Sequence, residues 1–149
     1  QANQFLQISL SSRNTQEAQK ITGEVKQRHP HKFGNANNHC YLSLLIGEDP
    51  EALEKEALRI VQAFPGNPSF LSTVALAKLL TNQPTEALAV MNQRGPTPLI
   101  HGERALLAAI LKAAGNIEDA QKIARGLQEQ RMLSEEWALL GKYGLIKSD

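Results

Sequence analysis

Cysteine is nearly missing from this sequence: Cys40 stands alone among 149 residues, which excludes an intramolecular disulfide framework and an all-cysteine metal cluster. Aromatic residues make up only 5% of the chain. No apolar run approaches the roughly 18 residues that a membrane-spanning helix needs, and the start has neither the charged nor the apolar block of a signal peptide. Insertion into a membrane is therefore not expected. Charge of one sign is also lacking, because sixteen Lys and Arg face fifteen Asp and Glu for a formal charge of +1, and the two signs are interleaved. Neutralising phosphates needs clustered Lys and Arg, so nucleic acid is a poor candidate partner.

The chemical motifs of common enzymes are missing too. There is no phosphate-cradling glycine loop, no glycine-flanked serine, no histidine pair four apart on a helix and no pair of CxxC elements. The expectation is a chain without catalytic residues, metal or cofactor. The chain opens on Gln1 rather than Met, which reads as a segment of a longer polypeptide or a processed product. The compartment stays open, with the cytoplasm favoured.

What is present is periodic. Asn14-Thr-Gln-Glu-Ala18, Gly47-Glu-Asp-Pro-Glu-Ala52, Gln83-Pro-Thr-Glu-Ala87 and Gly115-Asn-Ile-Glu-Asp-Ala120 each join a turn to acidic residues and an alanine. The alanines are 34, 35 and 33 residues apart. A fixed period in the range of roughly 20 to 50 residues is the mark of a stacked-repeat protein. Hydrophobic residues at 42% and charged residues at 21%, with abundant alanine and leucine, favour helices.

Punctuation along the chain divides it further. Residues 1 to 12 alternate Leu6, Ile8 and Leu10 with polar neighbours, as a strand would, although the repeat asks for a helix there. Asn14 with Glu17 resembles a capping box, and the helix that follows stops before Pro30. Asn35 to Ile46 is expected to be helical, and Asp49-Pro50 restarts a helix that runs to Phe64. Pro65-Gly-Asn-Pro68 is a helix stop joined to a helix start. The stretches 68–81 and 98–114 are apolar on most of their circumference, as expected of helices lying between others. Pro84 and Gly115-Asn116 open amphipathic helices, and Ser134 is expected to cap a last helix carrying the only tryptophan, Trp137.

These alternating inner and outer helices resemble the tetratricopeptide repeat, with Gly115-Asn-Ile-Glu-Asp-Ala120 the nearest match to the family's pattern and the proline after an outer helix matched by Pro30, Pro65 and Pro96. The resemblance implies an all-α fold: a right-handed superhelix, or solenoid, of about four helical hairpins (residues 1–30, 31–65, 66–97 and 98–131) with a closing helix over 132–149, together one domain. It also implies that inner helices line a concave groove for a peptide or helix of a partner protein. Carried over by repeat register, the groove residues are Asn37, Tyr41 and Leu44 from the second pair. Ser69, Ser72, Leu76 and Leu79 come from the third, and Ala105, Ala109 and Lys112 from the fourth. Tyr41 and Leu76 are the expected anchors and Asn37 the expected backbone-binding amide. The Lys and Arg set with which some family members clamp a C-terminal carboxylate is not found.

The remaining candidates have plain readings. His39 and Cys40 are adjacent and so diverge on a helix, which disfavours a nucleophile and base. His29, His31, His39 and Cys40 match no standard zinc spacing. His101 is most simply a surface residue. Glu17, Glu51, Glu86, Glu118 and Asp119 offset the positive ends of helix dipoles. Two other functions carry less weight: RNA binding, which helical hairpins of similar period perform, and an accessory role whose groove holds another domain of a longer parent chain. Residues 1 to 12, with little polar shielding, also offer a surface for forming a homodimer.

Overall fold

The computed structural model describes residues 15–28 and 32–146. Among them are eight α-helices, one short 3-10 turn and no strand: α1 (Thr15–Arg28), α2 (Phe33–Leu45), α3 (Pro50–Ala63), α4 (Pro68–Leu80), α5 (Pro84–Asn92), α6 (His101–Ala113), α7 (Ile117–Arg125), the 3-10 turn Glu129–Arg131 and α8 (Ser134–Lys142). The chain is thus all-helical. The expectations for residues 1 to 12, the Asn14 cap, the Pro30 stop and the ligand candidates His29 and His31 fall outside the described residues.

Local chemistry sets most helix ends. Pro50, Pro68 and Pro84 each occupy the first helical position, where a missing N–H costs nothing. Asp49 accepts from the backbone N–H groups of Glu51 and Ala52 at 3.2 and 3.4 Å, and Asn67 accepts from that of Phe70 at 3.1 Å. Gly47, Asn82, Gly115 and Gly144 adopt positive φ and produce the same tight turn four times. In each, the next N–H reaches back to a helical carbonyl: Glu48 to Ser43, Gln83 to Lys78, Asn116 to Leu111 and Leu145 to Leu140, at 2.8 to 3.1 Å. This 6→1 bond satisfies carbonyls that a helix end leaves orphaned.

Of the boundaries that differ from the sequence reading, two have a visible cause. The helix expected from Pro98 begins at His101, because Ile100 is extended and its N–H is taken by the Glu103 carboxylate at 3.1 Å. Likewise Ser134 is the first helical residue of α8 and extended Leu133 is its cap, with the Leu133 N–H held by Glu136 at 2.9 Å. In both helices the reciprocal half of a capping box comes from a third-position glutamate, and the capping side chain itself is aliphatic.

Three of the four periodic alanines share one place in the packing. Ala18, Ala87 and Ala120 are fully buried, and each is the fourth residue of its helix. Ala52 is the exception. It is the third residue of α3 and is exposed, so the equivalent position belongs to half-buried Leu53. The start of α3 is shifted by one residue because Asp49-Pro50 fixes it.

Each of α2, α4 and α6 packs against the helix that follows it, and in addition α2 packs on α4, α4 on α6 and α6 on α8. The main core runs through Leu44, Ala57, Leu71, Val74, Leu76, Leu79, Ala87, Met91, Leu106 and Ile110. Burying one such leucine or isoleucine stabilises the fold by about 1.5–3 kcal/mol. Helix α8 packs on α6, and its side chains also reach back across the molecule: Leu139 joins the main core, while Leu133 packs in a cluster with Ala18 of α1 and Leu42 of α2.

Candidate functional site

Nine of the ten groove residues read from the sequence keep one register. Asn37, Ser72 and Ala105 are the fifth residues of α2, α4 and α6; Tyr41, Leu76 and Ala109 are the ninth; Leu44, Leu79 and Lys112 are the twelfth. The structure buries most of them. Leu44, Leu76, Leu79, Ala105 and Ala109 belong to the core, and Asn37 and Ser72 are buried polar residues. Tyr41 and Lys112 are half-buried, and Ser69 is exposed. The anticipated open trough is therefore largely filled, with α8 contributing Leu133, Glu136 and Leu139 to the filling.

Two cavities flank α8. One lies between Leu44, Leu45, Leu76 and Leu80 on one side and Glu135, Ala138, Leu139 and Lys142 on the other. The second, of about 440 Å³, brings together Asn37, Tyr41, Ser69 and Ser72 with His101, Glu103, Arg131 and Glu136. Four of the ten groove residues read from the sequence thus line the second cavity, and two, Leu44 and Leu76, line the first. Leu79, Ala105, Ala109 and Lys112 line neither of these two cavities.

Each polar group of the second cavity has a traceable position. Glu103, fixed in the first turn of α6 by the Ile100 N–H, accepts the Ser72 hydroxyl from α4 at 2.8 Å. It also receives the Arg94 guanidinium at 3.1 and 3.2 Å. Arg94 is itself buried and donates to the Pro68 and Thr97 carbonyls at 3.1 and 3.4 Å. Glu136 accepts the Leu133 N–H and the Tyr41 hydroxyl, a contact linking residues 95 apart in sequence. Its carboxylate lies against Gly102, where any Cβ would collide with it. A Cβ there would oblige the Glu136 carboxylate to shift away from its Tyr41 and Leu133 donors.

Electrostatics follow from the burial. Burial pushes the Tyr41 hydroxyl well above its usual range, and the neighbouring Glu136 carboxylate adds to the effect, so it is a donor at all ordinary pH. Burial likewise pushes Glu136 up, outweighing the hydrogen bonds from Tyr41 and Leu133 that favour its charged form, while Glu103 and Glu135 push it further. Among the described residues no cation pairs with Glu136. Two polar atoms there also lack a hydrogen-bond partner among the described residues: Asn37 Oδ1 and His101 Nδ1. The Arg131 guanidinium lies 3.2 Å from His101 Nε2, so Nε2 accepts and Nδ1 carries the ring proton.

The other sequence candidates are placed in packing roles. The His39 ring donates through Nδ1 to the Gln19 carbonyl at 3.2 Å, and buried Cys40 donates to the Leu53 carbonyl at 3.4 Å. They thus point to different helices. Among the described residues no group of three or more His, Cys, Asp or Glu is arranged to hold a metal, and no helix is long and apolar enough to cross a membrane.

Sequence reading missed Arg94, Glu103, Arg131 and Glu136 as members of one site. Glu103 and Glu136 are 33 residues apart, which is the repeat spacing, and that equivalence was the available signal. Compared with protein-family models, curated proteins and solved structures, the chain matches none.

Proposed function

We propose that this chain is a non-catalytic interaction scaffold of the tetratricopeptide-repeat type, a right-handed stack of helical hairpins whose inner helices α2, α4 and α6 serve as a docking wall. The single observation that carries this reading is α8, an amphipathic helix seated against that wall through Leu133, Glu136 and Leu139. The wall accepts a helix, and here the helix belongs to the same chain. Helix-in-groove recognition uses the same physics between molecules.

With α8 in place, the surface left for a partner is the mouth of the second cavity. Ile100 is 62% exposed there, beside exposed Ser69 and Arg131. An exposed apolar side chain rimmed by polar residues suits contact with a protein segment. An RNA phosphate would meet Glu103 and Glu136 at the same place, which disfavours the nucleic-acid alternative.

Affinity capture with the wild-type chain and with the rim variant Ile100→Asp, Ser69→Arg tests the proposal. Both substituted positions are exposed, so folding is retained. A partner held by wild type and lost by the variant supports the reading. Equal capture of the same partner by both counts decisively against it.

A further inference from the structure

The second cavity has a charge pattern that ordinary packing does not account for. Its two carboxylates are treated differently: Glu103 is held by the buried Arg94 guanidinium, whereas Glu136 has hydrogen-bond donors but no cation among the described residues. Glu103 and Glu135 add to its negative surroundings, while Arg131, the cation lining the cavity, is exposed at its rim and engaged with His101. Isolated buried charge is costly, and the cost falls when a counter-charge arrives.

A second observation is independent of the carboxylates. Asn37 is 5% exposed, lines the cavity, and its Oδ1 has no hydrogen-bond partner among the described residues. A buried acceptor left empty costs about 1–3 kcal/mol, and native folds tolerate few of them. The carboxylate calls for a positive charge and the amide oxygen for a donor, and an ammonium group supplies both at once. Ile100, Gly102 and Leu133 supply an apolar wall for a carbon stem, and about 440 Å³ falls within the roughly 300–1,000 Å³ of small-ligand sites.

We propose that this cavity binds a primary alkylammonium group, with Glu136 as its counter-charge and Asn37 Oδ1 as a hydrogen-bond acceptor. The amine is either a free small molecule or the side chain of a lysine on a partner segment, and only the second source rests on the docking reading above. His101 Nδ1, a donor without a partner, would then receive a carbonyl of that segment's backbone.

The test is titration of the full chain, at fixed ionic strength, with n-butylammonium, with Nα-acetyl-lysine methylamide and with n-butanol as the uncharged control. The backbone amide of Gly102, which lines the cavity and is present in every variant, is followed by NMR. Saturable shifts with either amine and none with butanol are expected, and tighter binding of the lysine derivative assigns the source to a protein. Glu136→Gln is expected to weaken binding about tenfold or more, a loss of about 1.4 kcal/mol for each factor of ten. Should that variant unfold, Asn37→Ala serves instead. It removes an atom without a partner, so stability holds or rises while affinity falls severalfold, an outcome that a purely structural Asn37 does not give. Equal response to butanol, no saturable shift with either amine, or unchanged affinity in both variants overturns the proposal. Because no partner protein enters this titration, it can fail while the capture experiment succeeds, and the reverse.

Discussion

At the scale of single residues, the Tyr41–Glu136 contact concentrates what is unusual in this chain. A neutral hydroxyl buried against a carboxylate is a hydrogen bond to a charged group, worth about 1.5–3 kcal/mol. Tyr41→Phe should therefore lower unfolding stability by about that amount in urea titrations. The raised Glu136 also has a consequence of definite sign. From its ordinary value of 4.5 up to its higher folded value, the folded chain holds this proton more tightly than the unfolded chain does. Its contribution to stability accordingly declines as pH rises through that window. Glu136→Gln removes this dependence, so the wild-type minus variant difference in unfolding free energy should fall between pH 4.5 and the folded value. A difference that climbs with pH would contradict the assignment. Arg94 makes the complementary case: Arg94→Ala strands the Glu103 carboxylate and should cost about 3–5 kcal/mol, read by the same titrations.

At the scale of elements, the sequence announces helices well and their placement less well. Pro50, Pro68 and Pro84 mark true starts because a proline at the first turn is a local fact. Pro98 misleads for an equally physical reason, since Glu103 takes the Ile100 N–H and fixes the start three residues later. Ala52 falls out of register because Asp49-Pro50 sets its helix one residue away from the pattern. The shared register of α2, α4 and α6 is legible from periodicity, but that α8 packs near them depends on long-range contacts that periodicity does not encode. Glu103 and Glu136 are readable as capping acids, and their burial becomes evident only with Tyr41, Ser72 and Arg94 placed around them. Gly102→Ala isolates the α8–α6 approach. Alanine is the better helix former by about 1 kcal/mol, yet its Cβ collides with the Glu136 carboxylate. Net destabilisation of about 1–3 kcal/mol is expected, together with altered fluorescence of Trp137, which α8 carries.

At the scale of the molecule, α8 packs on α6 and places Leu139 in the core that α2, α4 and α6 share. Leu139→Asp places a charge in the main core and should weaken its docking, giving enhanced dye binding at exposed apolar surface and a lower denaturation midpoint. A synthetic peptide of residues 132–149, added to that variant, should reverse the dye response. Failure of the peptide to do so would show that the inner wall has no affinity of its own for this helix.

The chain separation of the Tyr41–Glu136 contact also bears on time. Hairpins such as α4–α5 and α6–α7 close over short loops through turns that repeat one geometry, and local closure is fast. The link that ties α2 to α8 must instead enclose 95 residues, whose ordering entropy is lost before the contact is gained. Amide protons of α8 are therefore expected to exchange with solvent deuterium ahead of those of α4, because the latch that formed last is the one whose release leaves the remaining hairpins intact.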